Sequence, residues 1–229
     1  MSDSLTFFQN QGYCVEKNNW QPGEIESLIS VSHSWESFKN KSYLSVMNPH
    51  RIDPLFFKAL ANPAILGKLQ KIFDGPVSAV QSQLFYGPPG CYGYSLHQDN
   101  FFLQAKPEHF CSVWTSLEAT SSENGGLIVY PGSHRENILP VAEVPIERRG
   151  PGQDPNSDRV ESVLPEGRYQ PLDLQTQAGD SVFIHANLVH ASHRNRTESR
   201  FRHVLLCTYI KTGTPFRAGQ YAKREEIPL

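Results

Sequence analysis

The sequence predicts a mostly β fold with helices in its N-terminal third, contained in one domain of residues 1–229. Helix signals are concentrated in residues 1–76, and short β-rich runs separated by turn signals follow in residues 77–229. A chain of 229 residues also favours a single domain with a sizeable core. The turn-separated runs are typical of a sandwich, a jelly roll or a barrel, with the helices as packing support.

The helices are predicted from their starts and their apolar spacing. Pro22 suits a first helical turn, and Asn62-Pro63 forms an N-cap and first-turn pair, with Gly75 as the expected C-terminal stop of the second helix. Apolar residues recur at helical spacing in both segments. They are Ile25, Leu28, Ile29 and Trp35 in the first helix, and Ile65, Leu66, Leu69, Ile72 and Phe73 in the second.

The β-rich runs begin at residue 77. They read VSAVQSQLFY, FCSVWTSLEA, GLIVYPG, DSVFIHANLVHAS and FRHVLLCTYI, at residues 77–86, 110–119, 126–132, 180–192 and 201–210. Between the third and fourth runs, residues 148–168 contain RRGPGQDPNSDR, which is too polar and too rich in Gly and Pro for a core. Long loops of this kind often serve as lids or binding loops, so we expect a lid-like loop at about 148–168.

The composition excludes several classes of protein. Hydrophobic residues make up 38% and charged residues 19%, as in globular proteins, and a net charge of -2 argues against a nucleic-acid partner. The sequence contains no apolar run long enough for a membrane span and no secretory leader pattern, so we expect no membrane partner. Four cysteines without a CxxC pair predict reduced thiols in a cytoplasmic protein.

A candidate metal site lies at His97-Gln98-Asp99. Residues two apart in a strand face the same side, so an imidazole and a carboxylate project together. A second histidine would complete the 2-His-1-carboxylate triad of non-haem Fe(II) oxygenases, which leaves three metal positions open. His185, His190 and His193 all lie in or near the fourth β-rich run, and periodicity alone does not choose between them.

Four ordered segments resemble the phytanoyl-CoA dioxygenase family of Fe(II)- and 2-oxoglutarate-dependent oxygenases. They are LHQD at 96–99, ENGGLIVYPGSH at 123–134, GDSVFIHANLVHASHRNRT at 179–197 and FRHVLL at 201–206. The resemblance implies a double-stranded β-helix, a cupin-like variant of the jelly roll, buttressed by α-helices. It also implies that His97, Asp99 and His190 are the iron ligands and that Fe(II), 2-oxoglutarate and O2 are the cofactors. His185 and His193 would then have structural roles.

The resemblance further implies residues that bind 2-oxoglutarate. The family uses an arginine on the strand after the distal histidine, assisted by the serine two positions beyond that histidine, here Ser192. Arg202 matches the family pattern better than Arg200, although strand parity does not separate the two. Gln98 and Trp114 match positions that contact the co-substrate in related enzymes. Gln83, on the strand before the metal motif, is a further candidate for the cavity wall.

The expected function is that of a dioxygenase that hydroxylates an unactivated C–H bond of a small-molecule metabolite, with 2-oxoglutarate and O2 converted to succinate and CO2. Desaturation or cyclisation would need the same cofactors. His134 and Arg149 are candidates for substrate contact. The alternatives are a cupin-like binding protein without oxygenase activity and a zinc hydrolase, and the latter is disfavoured because the sequence contains no HExxH motif.

Overall fold

The computed structural model describes residues 4–145 and 160–229. Its N-terminal third is largely helical, as the sequence predicts. The α-helices are α1 (Ser4–Gln11), α2 (Pro22–Ser34), α3 (Glu36–Lys39), α4 (Pro54–Leu60), α5 (Pro63–Phe73) and, further along the chain, α6 (Asp99–Leu103). Single turns of 3-10 helix lie at Pro49–Arg51, Pro107–His109 and Ser133–Arg135.

Helix α5 follows its sequence signals closely. The Asn62 side chain accepts hydrogen bonds from the backbone N–H groups of Ala64 at 3.0 Å and Ile65 at 3.2 Å, as an N-cap residue does. One face of the helix is buried through Ile65, Leu69 and Phe73. The helix ends differently from the prediction, because the left-handed residue that terminates it is Asp74, with φ of 47°, rather than Gly75.

The strands form two antiparallel sheets and a separate two-stranded ribbon. They are β1 (Tyr13–Glu16), β2 (Val46–Met47), β3 (Val77–Phe85), β4 (Phe110–Ser116), β5 (Leu127–Val129), β6 (Val141–Glu143), β7 (Val160–Ser162), β8 (Leu172–Asp173), β9 (Ser181–His185), β10 (His190–Ser192), β11 (Val204–Lys211) and β12 (Ile227–Pro228). The major sheet has the order β1-β9-β4-β11-β3-β12, with β2 also paired to β3. The minor sheet has the order β10-β5-β8, and β6 pairs with β7.

The core consists of two main layers on either side of the major sheet. One layer packs helices α1, α2, α4 and α5 against sheet residues such as Val113, Phe183 and Leu205. The other layer lies between the two sheets, where Phe85 and Val182 meet minor-sheet residues such as Val129. Burial of this apolar surface is the main favourable term in folding, so the helices stabilise the sheet from outside while its inner face remains available for a site.

A β-bulge changes which residues of β3 face that inner side. Thr208 of β11 pairs with Gln81, whereas the next residue, Tyr209, pairs with Ala79, so Val80 is the extra residue of β3. A bulge shifts the alternation of side chains by one position. Ala79 consequently packs with the helices, while Gln81 and Gln83 line the cavity on the inner face.

Three parts of the sequence prediction need correction. The run at 180–192 is two strands, β9 and β10, on different sheets. The predicted lid-like loop at about 148–168 contains strand β7, and its residues 148–159 lie outside the described part of the chain. Asp99 begins helix α6 rather than lying in a strand. Within the described ranges, no helix combines the length and apolar character needed to span a bilayer.

Candidate active site

The three predicted metal ligands meet at the open edge of the minor sheet. His190 is the first residue of β10, and His97 pairs with it in an isolated antiparallel bridge. Asp99 is the first residue of α6, and Gln98 before it is extended, with φ of -113° and ψ of 126°. Because Gln98 is extended, His97 and Asp99 face the same side, as the sequence argument expected for a strand.

The imidazoles are oriented by backbone carbonyl groups. His97 donates from Nδ1 to the carbonyl of Ser95 at 2.7 Å, and His190 donates from Nδ1 to the carbonyl of Leu188 at 3.0 Å. A carbonyl oxygen only accepts, so both rings carry a proton on Nδ1 and turn Nε2 toward Asp99. Asp99 Oδ1 is 3.5 Å from His97 Nε2 and 3.7 Å from His190 Nε2.

Electrostatics keep the carboxylate ionised. Burial alone would raise the pKa of Asp99, but the attraction of His190 and His97 outweighs it and holds that pKa well below its ordinary value. For His97, burial would lower the pKa, but the hydrogen bond and charge of Asp99 raise it above the ordinary value. Burial and the neighbouring His97 lower the pKa of His190 to about 4, which favours the neutral, metal-binding imidazole.

The arrangement fits a divalent metal ion. One ligand atom from each of His97, Asp99 and His190 lies within 4.8 Å of the other two. Asp99 Oδ2 is buried without a hydrogen-bond partner, which is costly for a carboxylate unless a cation binds it. Two neutral imidazoles and one carboxylate on a single side of the ion suit Fe(II) and leave positions open for other ligands.

The other two candidate histidines lie elsewhere. The His185 ring packs against Phe8 and His134, with ring centroids 6.1 and 5.1 Å away. His193 Nε2 lies 2.7 Å from Asp173 Oδ1 at the partly exposed edge of the minor sheet. His190 is therefore the histidine that joins the pair of His97 and Asp99, as the resemblance implied.

The triad opens into a cavity of about 620 Å³. Its walls come from the inner face of the major sheet, the minor sheet, helix α6 and the segment before β12. The apolar lining includes Met47, Phe85, Phe102, Phe110, Leu206 and Val160. Trp114, Ser192 and Gln83, all predicted as site residues, also line it, and the Gln83 amide donates to Ser45 Oγ at 3.3 Å.

Arg202 lies immediately behind the Trp114 ring. Its side chain is buried, its Nη1 donates to the carbonyl of Gly125 at 3.0 Å, and its guanidinium carbon is 5.4 Å from the centroid of the Trp114 ring. Arg202 Nε and Trp114 Nε1 are both buried without a hydrogen-bond acceptor. Arg200 is instead exposed and lies 3.5 Å from Glu123, so of the two arginines only Arg202 adjoins the cavity wall.

Glycines allow the backbone to approach Arg202 and Ser192. Gly87 has φ of +52°, and a Cβ there would lie 2.7 Å from the Arg202 carbonyl oxygen and 2.8 Å from Arg202 Nε. A Cβ on Gly93 would lie 1.8 Å from the Ser192 carbonyl oxygen. The close approach lets the Tyr94 N–H donate to Ser192 Oγ at 2.9 Å.

Two predicted contacts do not reach the cavity. The Gln98 side chain is fully buried and bonded to backbone groups, donating to Asn137 and Asn187 and accepting from Leu139. It positions the metal motif and leaves no group free for 2-oxoglutarate. His134 is also wrong as a substrate contact, because its Nε2 bonds the carbonyl of Gln9 and its ring packs against Gly12. Arg149 lies outside the described residues.

Sequence reasoning also missed several polar residues that line the cavity. Gln81 is on β3, Tyr94 precedes the metal motif, and Arg217 and Arg224 lie on the segment between β11 and β12. Gln81 lies two residues before Gln83 in the regularly paired part of β3, so strand alternation from Gln83 could have found it. The arginines lie in a tail rich in polar residues and glycine, where composition indicates only a solvated loop.

His97, Asp99 and His190 form the 2-His-1-carboxylate ligand set that is typical of the class of non-haem Fe(II) oxygenases, here between two packed antiparallel sheets. Residues 8–204 match the model of the phytanoyl-CoA dioxygenase (PhyH) family. Because the match covers most of its length, the chain belongs to the phytanoyl-CoA dioxygenase family.

Curated relatives agree with this family. The chain is 26% identical over 204 residues to a probable phytanoyl-CoA dioxygenase of Caenorhabditis elegans, with 85% of this chain and 63% of that protein covered. It is 32% identical over 185 residues to the peroxisomal phytanoyl-CoA dioxygenase of Rattus norvegicus, with 75% of this chain and 50% of that protein covered. The chain thus spans half to somewhat under two thirds of the length of these relatives.

Solved structures confirm the jelly-roll fold predicted from the sequence. The carbocyclase SnoK from nogalamycin biosynthesis, described as non-haem and alpha-ketoglutarate-dependent, superposes with a TM-score of 0.74 at 18% identity, covering 96% of this chain and 88% of that one. EvdO2 from Micromonospora carbonacea var. aurantiaca, complexed with 2-oxoglutarate, superposes with a TM-score of 0.75 at 15% identity, covering 96% and 94%. At these identities the likeness concerns the fold alone.

Proposed function

We propose that this protein is an Fe(II)- and 2-oxoglutarate-dependent dioxygenase that oxidises an unactivated C–H bond of a small-molecule metabolite. The observation that carries the proposal is a pair of buried, unpaired N–H donors beside the cavity that holds the triad: Trp114 Nε1, on a side chain that lines the cavity, and Arg202 Nε, on the guanidinium behind the Trp114 ring. A metal-binding protein without a co-substrate has no use for such donors, whereas a dicarboxylate that binds the metal at one end needs them at the other.

The chain's own residues supply binding and orientation. His97, Asp99 and His190 would hold the iron, with the carboxylate ionised and both Nε2 atoms turned toward it. Arg202 and Trp114 would bind the distal carboxylate of 2-oxoglutarate. Bound iron, 2-oxoglutarate and O2 would supply an oxidant able to attack a C–H bond, with succinate and CO2 as co-products.

The cavity walls support a reaction shielded from water. Phe85, Phe102 and Leu206 surround the triad with apolar surface. An apolar wall lowers the local dielectric, strengthens the polar contacts of bound molecules and keeps a reactive intermediate from solvent. Asp99 as the third ligand favours hydroxylation, because the carboxylate fills the metal position that a halide would need.

The size of the cavity favours a small substrate. About 620 Å³ must hold the co-substrate as well as the substrate, which suits a compact metabolite such as an amino-acid-like or natural-product intermediate. We also propose a cytoplasmic location, supported by four buried cysteines that form no disulfide. The rat relative is named peroxisomal, so microscopy of a fluorescent fusion would test this part of the proposal.

Anaerobic titration of the metal-free protein with Fe(II) and then 2-oxoglutarate tests the cofactor chemistry. Wild-type protein should develop the visible metal-to-ligand charge-transfer band of a chelated keto acid. His190→Ala should lose the band, and Arg202→Ala should need much more 2-oxoglutarate. Arg200→Ala is the matched control, because Arg200 is exposed and paired with Glu123, and it should behave as wild type. Succinate release in the presence of O2 would then guide a substrate screen.

Absence of the band in wild-type protein that binds iron would refute the oxygenase proposal. It would favour a cupin-like binding protein. Activity that persists without O2, supported by Zn(II), would instead favour a metal-dependent hydrolase. If Arg202→Ala bound 2-oxoglutarate normally and Arg200→Ala bound it more weakly, Arg200 rather than Arg202 would be the residue that anchors the co-substrate.

A further inference from the structure

Two arginines line the cavity from the segment that follows the last long strand. Arg217 and Arg224 lie between β11 and β12, and both face the same space as the triad. This segment is tied to the rest of the fold by Asn48, which donates to the carbonyl of Ala222 at 2.8 Å, and by Arg51, which lies 2.8 Å from Glu225. The arginines are therefore part of a fixed wall.

Both guanidinium groups are oriented by neutral acceptors close to the metal motif. Arg217 Nε donates to the carbonyl of Phe102 at 2.9 Å, and its backbone N–H donates to the carbonyl of Leu103 at 2.7 Å. Arg224 Nε donates to Gln81 Oε1 at 2.6 Å, and its Nη1 reaches the carbonyl of Phe102 at 3.5 Å. Phe102 and Leu103 belong to α6, which begins at Asp99, so the arginines are anchored to the helix of the metal ligand.

Neither arginine has an acidic partner among the described residues. The ion pairs found there involve other basic side chains. Burial and the nearby charge of Arg217 lower the pKa of Arg224, and Asp99 is the acidic group that opposes this shift. A metal ion on Asp99 would neutralise that carboxylate and leave the half-buried Arg224 without it, whereas Arg217 is exposed and also screened by solvent.

The formal charges of the site with Fe(II) and 2-oxoglutarate bound also indicate that positive charge remains on the cavity wall. If the proposed function holds, Fe(II) carries two positive charges, Asp99 one negative charge, 2-oxoglutarate two negative charges and Arg202 one positive charge. These charges cancel. Arg217 and Arg224 then remain as positive charge on the cavity wall, within a cavity partly lined by apolar side chains. Excess charge beside an apolar wall favours binding of a ligand of opposite sign.

We propose that Arg224, assisted by Arg217, binds an anionic group of the substrate, a carboxylate or a phosphate monoester. The inference rests on the proposed function and narrows its substrate class to compact organic anions. The guanidinium of Arg224 binds the anion, because a planar fork of N–H donors matches a carboxylate or phosphate. The carbon skeleton lies along the apolar wall formed by Met47, Phe102 and Leu206, and thus extends toward the metal.

Calorimetry on the Ni(II) and 2-oxoglutarate complex tests the proposal without turnover. The complex is saturated with 2-oxoglutarate, so that an added anion cannot occupy that site, and is titrated with hexanoate, hexyl phosphate and the neutral probe hexanamide. In wild-type protein, one of the two anions should bind at least tenfold more tightly than hexanamide. Arg224→Gln should reduce this preference to less than threefold, and Arg224→Lys should retain part of it. Arg200→Gln removes the same charge outside the cavity and should leave the preference unchanged.

The outcomes separate this inference from the proposed function. Failure of 2-oxoglutarate to bind the Ni(II) protein would count against the proposed function itself. Normal 2-oxoglutarate binding, with anions and amide bound equally or not at all, would overturn only the inference, and so would a preference that survives Arg224→Gln. A preference for hexanoate over hexyl phosphate, or the reverse, would identify the anionic group of the substrate.

Discussion

The guanidinium carbon of Arg202 lies 5.4 Å from the centroid of the Trp114 ring, and each side chain keeps a buried N–H group without an acceptor. Burying an unpaired donor costs about 1–3 kcal/mol, so two adjacent ones are expensive unless a ligand accepts from them. Arg202 is 3% exposed and Trp114 is 6% exposed, which rules out bulk water as the regular acceptor. The unpaired donors support our proposal that this pair binds a carboxylate of 2-oxoglutarate.

The Trp114 donor can be removed while the ring is kept. Trp114→Phe preserves an aromatic face for Arg202 and deletes Nε1–H. A hydrogen bond to a charged group contributes about 1.5–3 kcal/mol, so 2-oxoglutarate should bind at least tenfold more weakly. Fe(II) affinity should not change, because the triad is intact. Anaerobic titration of both ligands measures the two effects, and equal 2-oxoglutarate affinity in variant and wild type would exclude the indole as a contact.

Gly87 offers a steric test of the position of Arg202. A Cβ at residue 87 would meet the Arg202 carbonyl oxygen at 2.7 Å, so Gly87→Ala should displace the arginine and weaken 2-oxoglutarate binding. Gly90 is the matched control: its φ of +80° is also in the left-handed region, but a Cβ there has no neighbour within 4 Å. Both variants should lose stability through backbone strain of about 1 kcal/mol, but only Gly87→Ala should also lose co-substrate affinity. Similar 2-oxoglutarate affinities in the two variants would contradict this account.

The role of Gln98 can be separated from co-substrate binding. Gln98→Leu removes an amide that bonds the backbone of Asn137, Leu139 and Asn187, leaving buried polar groups unpaired. We expect the free energy of unfolding to fall by about 2–4 kcal/mol, because several buried partners are lost together. The dissociation constant of 2-oxoglutarate should change less than threefold. Urea unfolding and ligand titration check the two parts, and a large loss of affinity at unchanged stability would restore the original interpretation of Gln98.

Much of the fold could be predicted because its signals are local. The Asn62 cap, the apolar stripe of α5 and the turn-bounded strands depend on neighbouring residues, and each is present in the structure. The bulge at Val80 depends on pairing between strands distant in sequence, and no local pattern encodes it. Gln83 could be proposed for the cavity wall from the sequence, whereas the opposite facing of Ala79 and Gln81 could be found only from the three-dimensional register.

The candidate site was predictable to the extent that its residues belong to a recognisable motif. Spacing alone paired His97 with Asp99, while the choice of His190 over His185 and His193 needed the family resemblance. Strand parity did not separate Arg200 from Arg202, because residues two apart share a face. Both residues in fact precede β11, and the distinction is the burial of Arg202 behind Trp114. Contacts of Gln98 and His134 depend on the direction of a side chain among distant segments, which a linear pattern does not contain.

His185 is a largely buried histidine that lies outside the candidate metal site. Its Nδ1 accepts from the N–H of Asn187 at 3.2 Å, and its ring lies among Phe8 and His134. Burial, reinforced by the nearby charge of His134, lowers the pKa of His185 from 6.5 to about 4. Folding therefore favours the neutral ring, which makes this residue a source of acid sensitivity outside the metal centre.

The sign of the pH effect follows from that shift. Well above pH 6.5, His185 is neutral in both the folded and the unfolded chain and contributes no pH dependence. As the pH falls toward 4, the unfolded chain takes up a proton that the folded chain does not, so stability is lost across this window. Between the two pKa values the loss is about 1.36 kcal/mol per pH unit, so it amounts to about 2 kcal/mol from pH 7 to pH 5, nearly all of it below pH 6.5. His185→Gln, which cannot titrate, should lose correspondingly less stability over that interval. Urea unfolding of both proteins at the two pH values, with a chelator present so that metal release does not contribute, measures the difference. Equal losses in variant and wild type would mean that His185 accepts a proton in the folded state as readily as in the unfolded chain.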